Sequence, residues 1–291
     1  MNTTPTARVP KWVLGSPLII FTLIFVAYPV YQGIQTGFYG LSLQNPAALF
    51  TGLDNFLTVL TDPGFHAAAR FTVVFALTVT AVETILGFGL ALLVNREFPG
   101  KRIFFTMLLV PIMVAPALLG IMFRLLLNGD IGLAPALLHS VGLDISLFAP
   151  NTVIPLLVLL DLLQWTPFAF LIMYAGLQSF PTDLLEAARV DGAGRFRILR
   201  SIVAPIMKPI VFAAVFLRLI DALRTFDVIY VLTAGGPGTK TTTMSIYIYK
   251  TAFESGQFGL AAAASTIVMI VLLPFVPVFV KRIANPGGAS R

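Results

Sequence analysis

SFPTDLLEAARVDGAGRFRILRSIVAPIMKP, residues 179–209, is a polar island in an apolar chain. Pro181 ends whatever precedes it. Asp183 with Glu186 three residues later resembles a capping box, which puts the start of a short helix near Leu184. Gly192 and Gly194 interrupt that helix, because a tight turn between helices needs positive φ and close approach. A second short helix is predicted from about Arg195 to Val203, running into Pro205. Each piece is about two turns long, too short to persist alone in water. Both must therefore be held by packing, and Phe196, Leu199 and Val203 share a face that has to dock. Composition alone leaves open whether the arginines rest this segment on lipid headgroups.

The chain around this island belongs in a membrane. Its 291 residues are 57% hydrophobic and 11% charged, with a mean hydropathy of +0.92 and no cysteine. Those values exclude a water-soluble globule, a disordered chain, a collagen-like fibre and a disulfide-stapled scaffold. A net charge of +6 and a pI near 9.8 would suggest nucleic acid in a soluble protein. Here they record basic residues gathered on one side of a bilayer. A span needs about 20 mostly apolar residues, and six such segments are predicted, near 13–37, 70–94, 103–127, 152–177, 209–232 and 260–280. The first is read as an uncleaved anchor, since its apolar stretch is long and no small-residue cleavage pattern closes it.

Six spans put both termini on one side. Arg8 and Lys11 precede the first span; Arg96, Lys101 and Arg102 follow the second. Arg189, Arg195, Arg197, Arg200 and Lys208 lie in or beside the island, and Lys281, Arg282 and Arg291 follow the sixth span. Most of the basic residues thus share the face of the termini, which is predicted to be cytoplasmic. Three connections lie on the other face. Residues 38–69 carry Phe50, Leu53, Phe56, Leu57 and Leu60 at the spacing of an interfacial helix. Residues 128–151 are broken by Gly and Pro, and 233–259 opens on a sharp Gly235-Gly236-Pro237-Gly238 turn.

The island's residues carry a resemblance. Glu186-Ala187-Ala188, Gly192 four residues on, Ile202 ten beyond that and Pro205 follow the E-A-A, G, I, P spacing of the cytoplasmic loop of ABC importer permeases; Asp191-Gly192-Ala193 agrees with it. The chain resembles the carbohydrate-uptake branch of that family, the relatives of the maltose and glycerol-phosphate permeases. FTGLDNF and TDPGF within 50–65, FDVIYVLTAGGPGTKTTTMSIYIYKTAF at 226–253, and six predicted spans extend the resemblance over most of the chain. Leu199 and Ala204 depart from the family pattern, where phenylalanine and leucine are common, but both stay apolar.

The resemblance implies an all-α membrane protein with six transmembrane helices, the type I ABC importer permease fold, and a cytoplasmic coupling helix. It implies a tail, first helix and external connection over 1–65, a five-helix core with its coupling loop over 66–282, and a tail over 283–291. Contact with an ATP-binding subunit would fall to Glu186, Ala187, Ala188, Asp191, Gly192, Phe196, Leu199 and Pro205. The small alanines would allow close approach, Gly192 would make the turn, and Glu186 would cap a helix or pair with a basic partner residue. Implied partners are a second homologous permease, two copies of a cytoplasmic ATP-binding subunit, an extracytoplasmic solute-binding protein and the lipid bilayer, with no nucleic acid. No cofactor is expected on this chain; ATP and magnesium would be used by the partner subunits. The expected setting is a bacterial inner membrane, crossed several times with both termini cytoplasmic, and the expected cargo is a sugar, polyol or glycoside, neutral or anionic.

Gly235–Thr241 superficially suggests a phosphate-binding loop, but Thr239 stands where glycine must precede the lysine. His66 and His139 lie in separate connections without cysteine, which argues against zinc, and no nucleophile–base spacing suggests catalysis. Charges within spans are costly and default to function. Glu83, Arg124, Asp161, Arg218, Asp221, Arg224 and Asp227 qualify, and Gln164 and Trp165 share a face with Asp161. The last four charges alternate in sign every three residues, so they either neutralise one another along a helix or line a solute path that can hold hydroxyl or anionic groups. A rival reading is an ion-coupled secondary transporter using Glu83 and Asp161, although repeated halves and broken helices are not visible in the sequence.

Overall fold

The computed structural model describes residues 11–275 and 277, except 48, 144 and 181. Arg8, Pro181, Lys281, Arg282, Arg291 and the tail 283–291 lie outside the described residues. Among those described, the chain is helical apart from one isolated antiparallel bridge, Tyr39 with Phe50. In chain order the helices are α1 (Lys11–Thr22), α2 (Tyr28–Thr36), α3 (Asp54–Thr61), α4 (Pro63–Val94), α5 (Lys101–Met113), α6 (Pro116–Leu126) and α7 (Leu133–Ser140). Then follow α8 (Val153–Gln178), α9 (Thr182–Val190), α10 (Arg195–Ile198), α11 (Ala204–Leu223), α12 (Asp227–Thr233), α13 (Met244–Tyr249) and α14 (Phe258–Leu272).

Four runs are long and apolar enough to cross a bilayer: Gly15–Thr36, Pro63–Val94, Val153–Gln178 and Arg195–Leu223. The expected third span is not one straight helix: α5 and α6 meet at a 96° bend. Pro116 is the cause. A residue before proline avoids the α region, and Ala115 sits at φ −59°, ψ 136°, with Val114 also extended. The expected fifth span, 209–232, is also broken, ending at Leu223 and resuming as α12. The sixth corresponds to α14, whose 15 residues rise about 22 Å, short of a hydrocarbon core of about 30 Å. By contrast α4 has 32 residues, about 48 Å, so its first turns, with His66 and Arg70, extend past such a core.

Proline is handled differently at Pro29 and Pro205. Each follows a π turn that begins six residues earlier, Leu23–Ala27 and Leu199–Val203. In both, the residue before the proline donates its N–H to the carbonyl five residues back, Tyr28 to Leu23 and Ala204 to Leu199. The widened turn gives the ring room where an α carbonyl would collide with it. The second hairpin helix therefore does not stop at Pro205 as expected but continues to Leu223.

Packing divides the chain into two compact units. One holds the chain up to Asp62 together with Ile248–Leu273; within it α14 packs on α2 and α3. Helix α3 is shorter than the spacing suggested: Phe50 lies in the bridge and Leu53 precedes the helix, while Leu57 and Leu60 are exposed on it. The other unit is Pro63–Tyr247, where α4 packs along α8, α11 against both, and α12 against α6. Gly87 brings α4 close to α8: a Cβ there would stand 2.8 Å from Ala169 Cβ and from Phe170 N. Two apolar clusters are stacked along these helices. One contains Phe75, Val79, Leu157, Leu160, Ala222 and Ile229; the other Ala91, Val94, Phe170, Met173, Met207 and Ala214.

Candidate functional site

Helices α9 and α10 form the helix–turn–helix whose spacing opened the sequence reading. Helix α9 begins at Thr182, two residues before the expected start, with Asp183 in its first turn, where a carboxylate meets the free amide end of the helix favourably. Its end is a Schellman motif. Gly192 N–H bonds to Arg189 O at 3.0 Å and Ala193 N–H to Ala188 O at 2.9 Å, with Gly192 at φ +77°. Gly194 has negative φ, so only Gly192 meets the expectation of a left-handed turn residue.

The apolar face expected to dock is split. Val203 is buried in the cluster that contains Phe170 and Met207, and Leu199 packs on it, together with Leu185 and Ile198. Phe196 is 73% exposed and Val190 87% exposed. Glu186, Ala187, Asp191, Gly192 and Pro205 are exposed, and Ala188 is half-buried. A hollow of about 250 Å³ opens beside the turn, lined by Ala188, Asp191, Ala193, Arg197, Ile198, Ser201 and Ile202. The hairpin is thus anchored to its own chain by one side and offers small residues, a glycine turn and a free phenylalanine on the other.

The second constellation lies between the two apolar clusters. On α4, Glu83 falls between Val79 and Ala91; on α8, Asp161 and Gln164 fall between Leu160 and Phe170; on α11, Arg218 falls between Ala214 and Ala222. Glu83, Asp161 and Arg218 are 0%, 6% and 1% exposed. Arg218 donates from Nε to Glu83 Oε2 at 2.6 Å and from Nη2 to Glu83 Oε1 at 3.2 Å, and Nη2 also donates to Asp161 Oδ1. From Nη1 it reaches Asp221 Oδ2 at 3.3 Å, and Arg224 stands 3.8 Å from Asp221. The guanidinium lies over the Trp165 ring at 5.2 Å, a cation–π contact. Burial of these charges is tolerated because each is paired and hydrogen-bonded.

Of the nine residues read as candidates for a solute path, five therefore converge with Arg218: Glu83, Asp161, Trp165, Asp221 and, at the margin, Arg224. Gln164 serves another purpose. Its Nε2 donates to Val114 O at 3.3 Å, a carbonyl freed by the break between α5 and α6. Arg124 is exposed at the end of α6, its Nη1 donating to Val231 O at 3.3 Å. Asp227 is exposed at the start of α12. The ladder of alternating charges is half realised: Arg218–Asp221–Arg224 pair, but the helix ends before Asp227.

Sequence reasoning missed the residues that hold this second break. Thr243 Oγ1 donates to Thr225 O at 3.0 Å and Ser245 Oγ to Arg224 O at 3.2 Å, while Thr72 Oγ1 accepts from Met244 N–H at 2.9 Å. Thr241 and Thr242 bond back to Gly236 and Gly235. Irregular backbone at membrane depth persists only where such partners satisfy it. The run Thr241-Thr242-Thr243, quoted in the sequence only within the 226–253 stretch that carries the resemblance, was the signal.

The sequence profile described as "Binding-protein-dependent transport system inner membrane component" matches residues 83–287. The trehalose/maltose transport system permease protein MalF of Thermococcus litoralis is 35% identical, over 91% of this chain and 90% of its own length. The sulfoquinovosyl glycerol transport system permease protein SmoG of Agrobacterium fabrum is 32% identical over 93% and 89%. The sn-glycerol-3-phosphate permease protein UgpA of the same organism is 31% identical over 91% and 92%. The fold is that of a chain in the crystal structure of a bacterial alginate ABC transporter in complex with an alginate pentasaccharide-bound periplasmic protein. That chain has a TM-score of 0.80 and 24% identity, over 94% of this chain and 93% of that one.

Proposed function

This chain belongs to the family of binding-protein-dependent transport system inner membrane components, and on that premise we propose that it is a permease subunit of an ATP-driven importer of sugars or glycosides. It is a multi-pass membrane protein. The observation that carries the proposal is the hairpin α9–α10, whose Glu186-Ala187-Ala188, Gly192 and Pro205 spacing is joined to a Schellman turn with Phe196 left free. That surface suits the cleft of a separate ATP-binding subunit, two copies of which would use ATP and magnesium. This chain would hold no cofactor and perform no catalysis. A second permease would complete the translocation path, a solute-binding protein would deliver the cargo, and the basic hairpin and both termini would face the cytoplasm.

Names of relatives point to hydroxylated solutes both neutral and anionic: trehalose/maltose, sulfoquinovosyl glycerol and sn-glycerol 3-phosphate. Arg124, Trp165, Asp221, Arg224 and Asp227 keep exposed surface and are the proposed contacts with solute; Glu83, Asp161, Gln164 and Arg218 support them from the interior. The two broken spans remove one argument against the ion-coupled reading, but Glu83 and Asp161 are both committed to Arg218, which leaves neither carboxylate to carry an ion. Co-expression with the neighbouring transporter subunits tests the proposal. A stable complex with an ATPase and a second permease, whose vesicle uptake of maltose, trehalose or glycerol 3-phosphate needs internal ATP and survives an uncoupler, is the expected result. A functional homodimer driven by an ion gradient would overturn it.

A further inference from the structure

We propose that Arg218 is a positioning residue that makes the run Arg195–Leu223 act as a lever, carrying motion from the hairpin to the break between Leu223 and Asp227. The inference rests on the ATP-driven import reading. The run is unbroken by a bend of the kind seen at Pro116, because the π turn absorbs Pro205. Arg195 and Arg218 are 23 positions apart, about 35 Å along it. Displacement at one end reaches the other only if the far end is fixed to its neighbours.

Arg218 supplies that fixing. Its planar fork binds Glu83 of α4 through two nitrogens, Asp161 of α8 and Asp221 of its own helix. Lysine, a point charge on a flexible stem, has no such fork with which to hold carboxylates in a fixed arrangement. Six residues further on, the chain is held differently. Arg224 O and Thr225 O accept only from the neutral hydroxyls of Ser245 and Thr243. Charge-assisted bonds are about twice as strong as neutral ones. A force along α11 therefore leaves the Arg218 junction intact and opens the hydroxyl-held break, beside which Arg224 and Asp227 are exposed.

The absence of native cysteine makes a direct test practicable. Asp227→Cys, in the complete complex in proteoliposomes, is labelled with a membrane-impermeant maleimide with and without ATP and magnesium. With Arg218 present, ATP is expected to change the labelling rate roughly 5–150-fold, the range of typical coupling between sites. In Arg218→Met that response is expected to vanish while ATP hydrolysis continues, and Arg218→Lys is expected to restore only part of it. An equal response in Arg218→Met, or loss of hydrolysis in step with the response, would overturn the role of Arg218. Should Arg218→Met fail to assemble, Glu83→Gln/Asp161→Asn/Arg218→Met leaves no ionised carboxylate at Glu83 or Asp161 and is read the same way; failure of both reduces the network to folding alone. No ATP response even with Arg218 would instead sink the import reading.

Discussion

Gly192 shows how much can rest on one backbone angle. A φ of +77° with its N–H committed to Arg189 O is a position proline cannot occupy, since its ring fixes φ near −65° and removes the donor. Gly192→Pro is expected to abolish co-purification of the ATPase and ATP-dependent uptake while leaving the chain in the membrane; retention of both would refute the coupling role. Gly192→Ala should be milder, about 1 kcal/mol in the turn. Gly87 was not singled out by the sequence, because nothing in the residues of α4 alone reveals that Ala169 and Phe170 press against it. Gly87→Ala is expected to lower stability by about 1–3 kcal/mol through overpacking, measured as a shift in thermal unfolding of the purified complex. Conformational demands of a turn are legible locally; close approach between helices is not.

At the scale of elements, hydropathy located every long apolar helix, and α8 agreed to within a residue at each end. What it could not resolve was how each proline would be met. Pro205 was expected to stop a helix and instead follows a π turn; Pro116 was expected inside a straight span and instead breaks it. The difference lies with neighbouring helices. The break at Val114 is tolerable because Gln164, on another helix, donates to its carbonyl. Gln164→Leu is expected to leave that oxygen unpaired, at a cost of about 1–3 kcal/mol, and to increase hydrogen exchange around residues 113–116. Unchanged exchange there would mean the bond contributes nothing. Helix existence is written in local composition, but helix continuity depends on donors that arrive from 50 residues away.

For the whole molecule, the charge asymmetry makes a prediction about sidedness that packing does not supply. A phosphatase reporter, active only outside the cytoplasm, is expected to work when fused after Asp130 and to fail when fused after Asp191; the reverse pattern would invert the orientation. The ion network was legible only in part. Each buried charge could be listed from its position in an apolar run, yet their convergence on Arg218 requires the packing of α4, α8 and α11. The π turns before Pro29 and Pro205 carry one further consequence, for angular phase. The turn at Leu199–Val203 holds one residue more than an α turn would, and each residue winds a helix by about 100°. Deleting Ser201 would rewind it, turning Phe196 by that angle about the axis relative to Arg218. Insertions and deletions in these five residues would thus act as a rotary adjustment, re-aiming Phe196 and the α9–α10 turn by a change of phase alone.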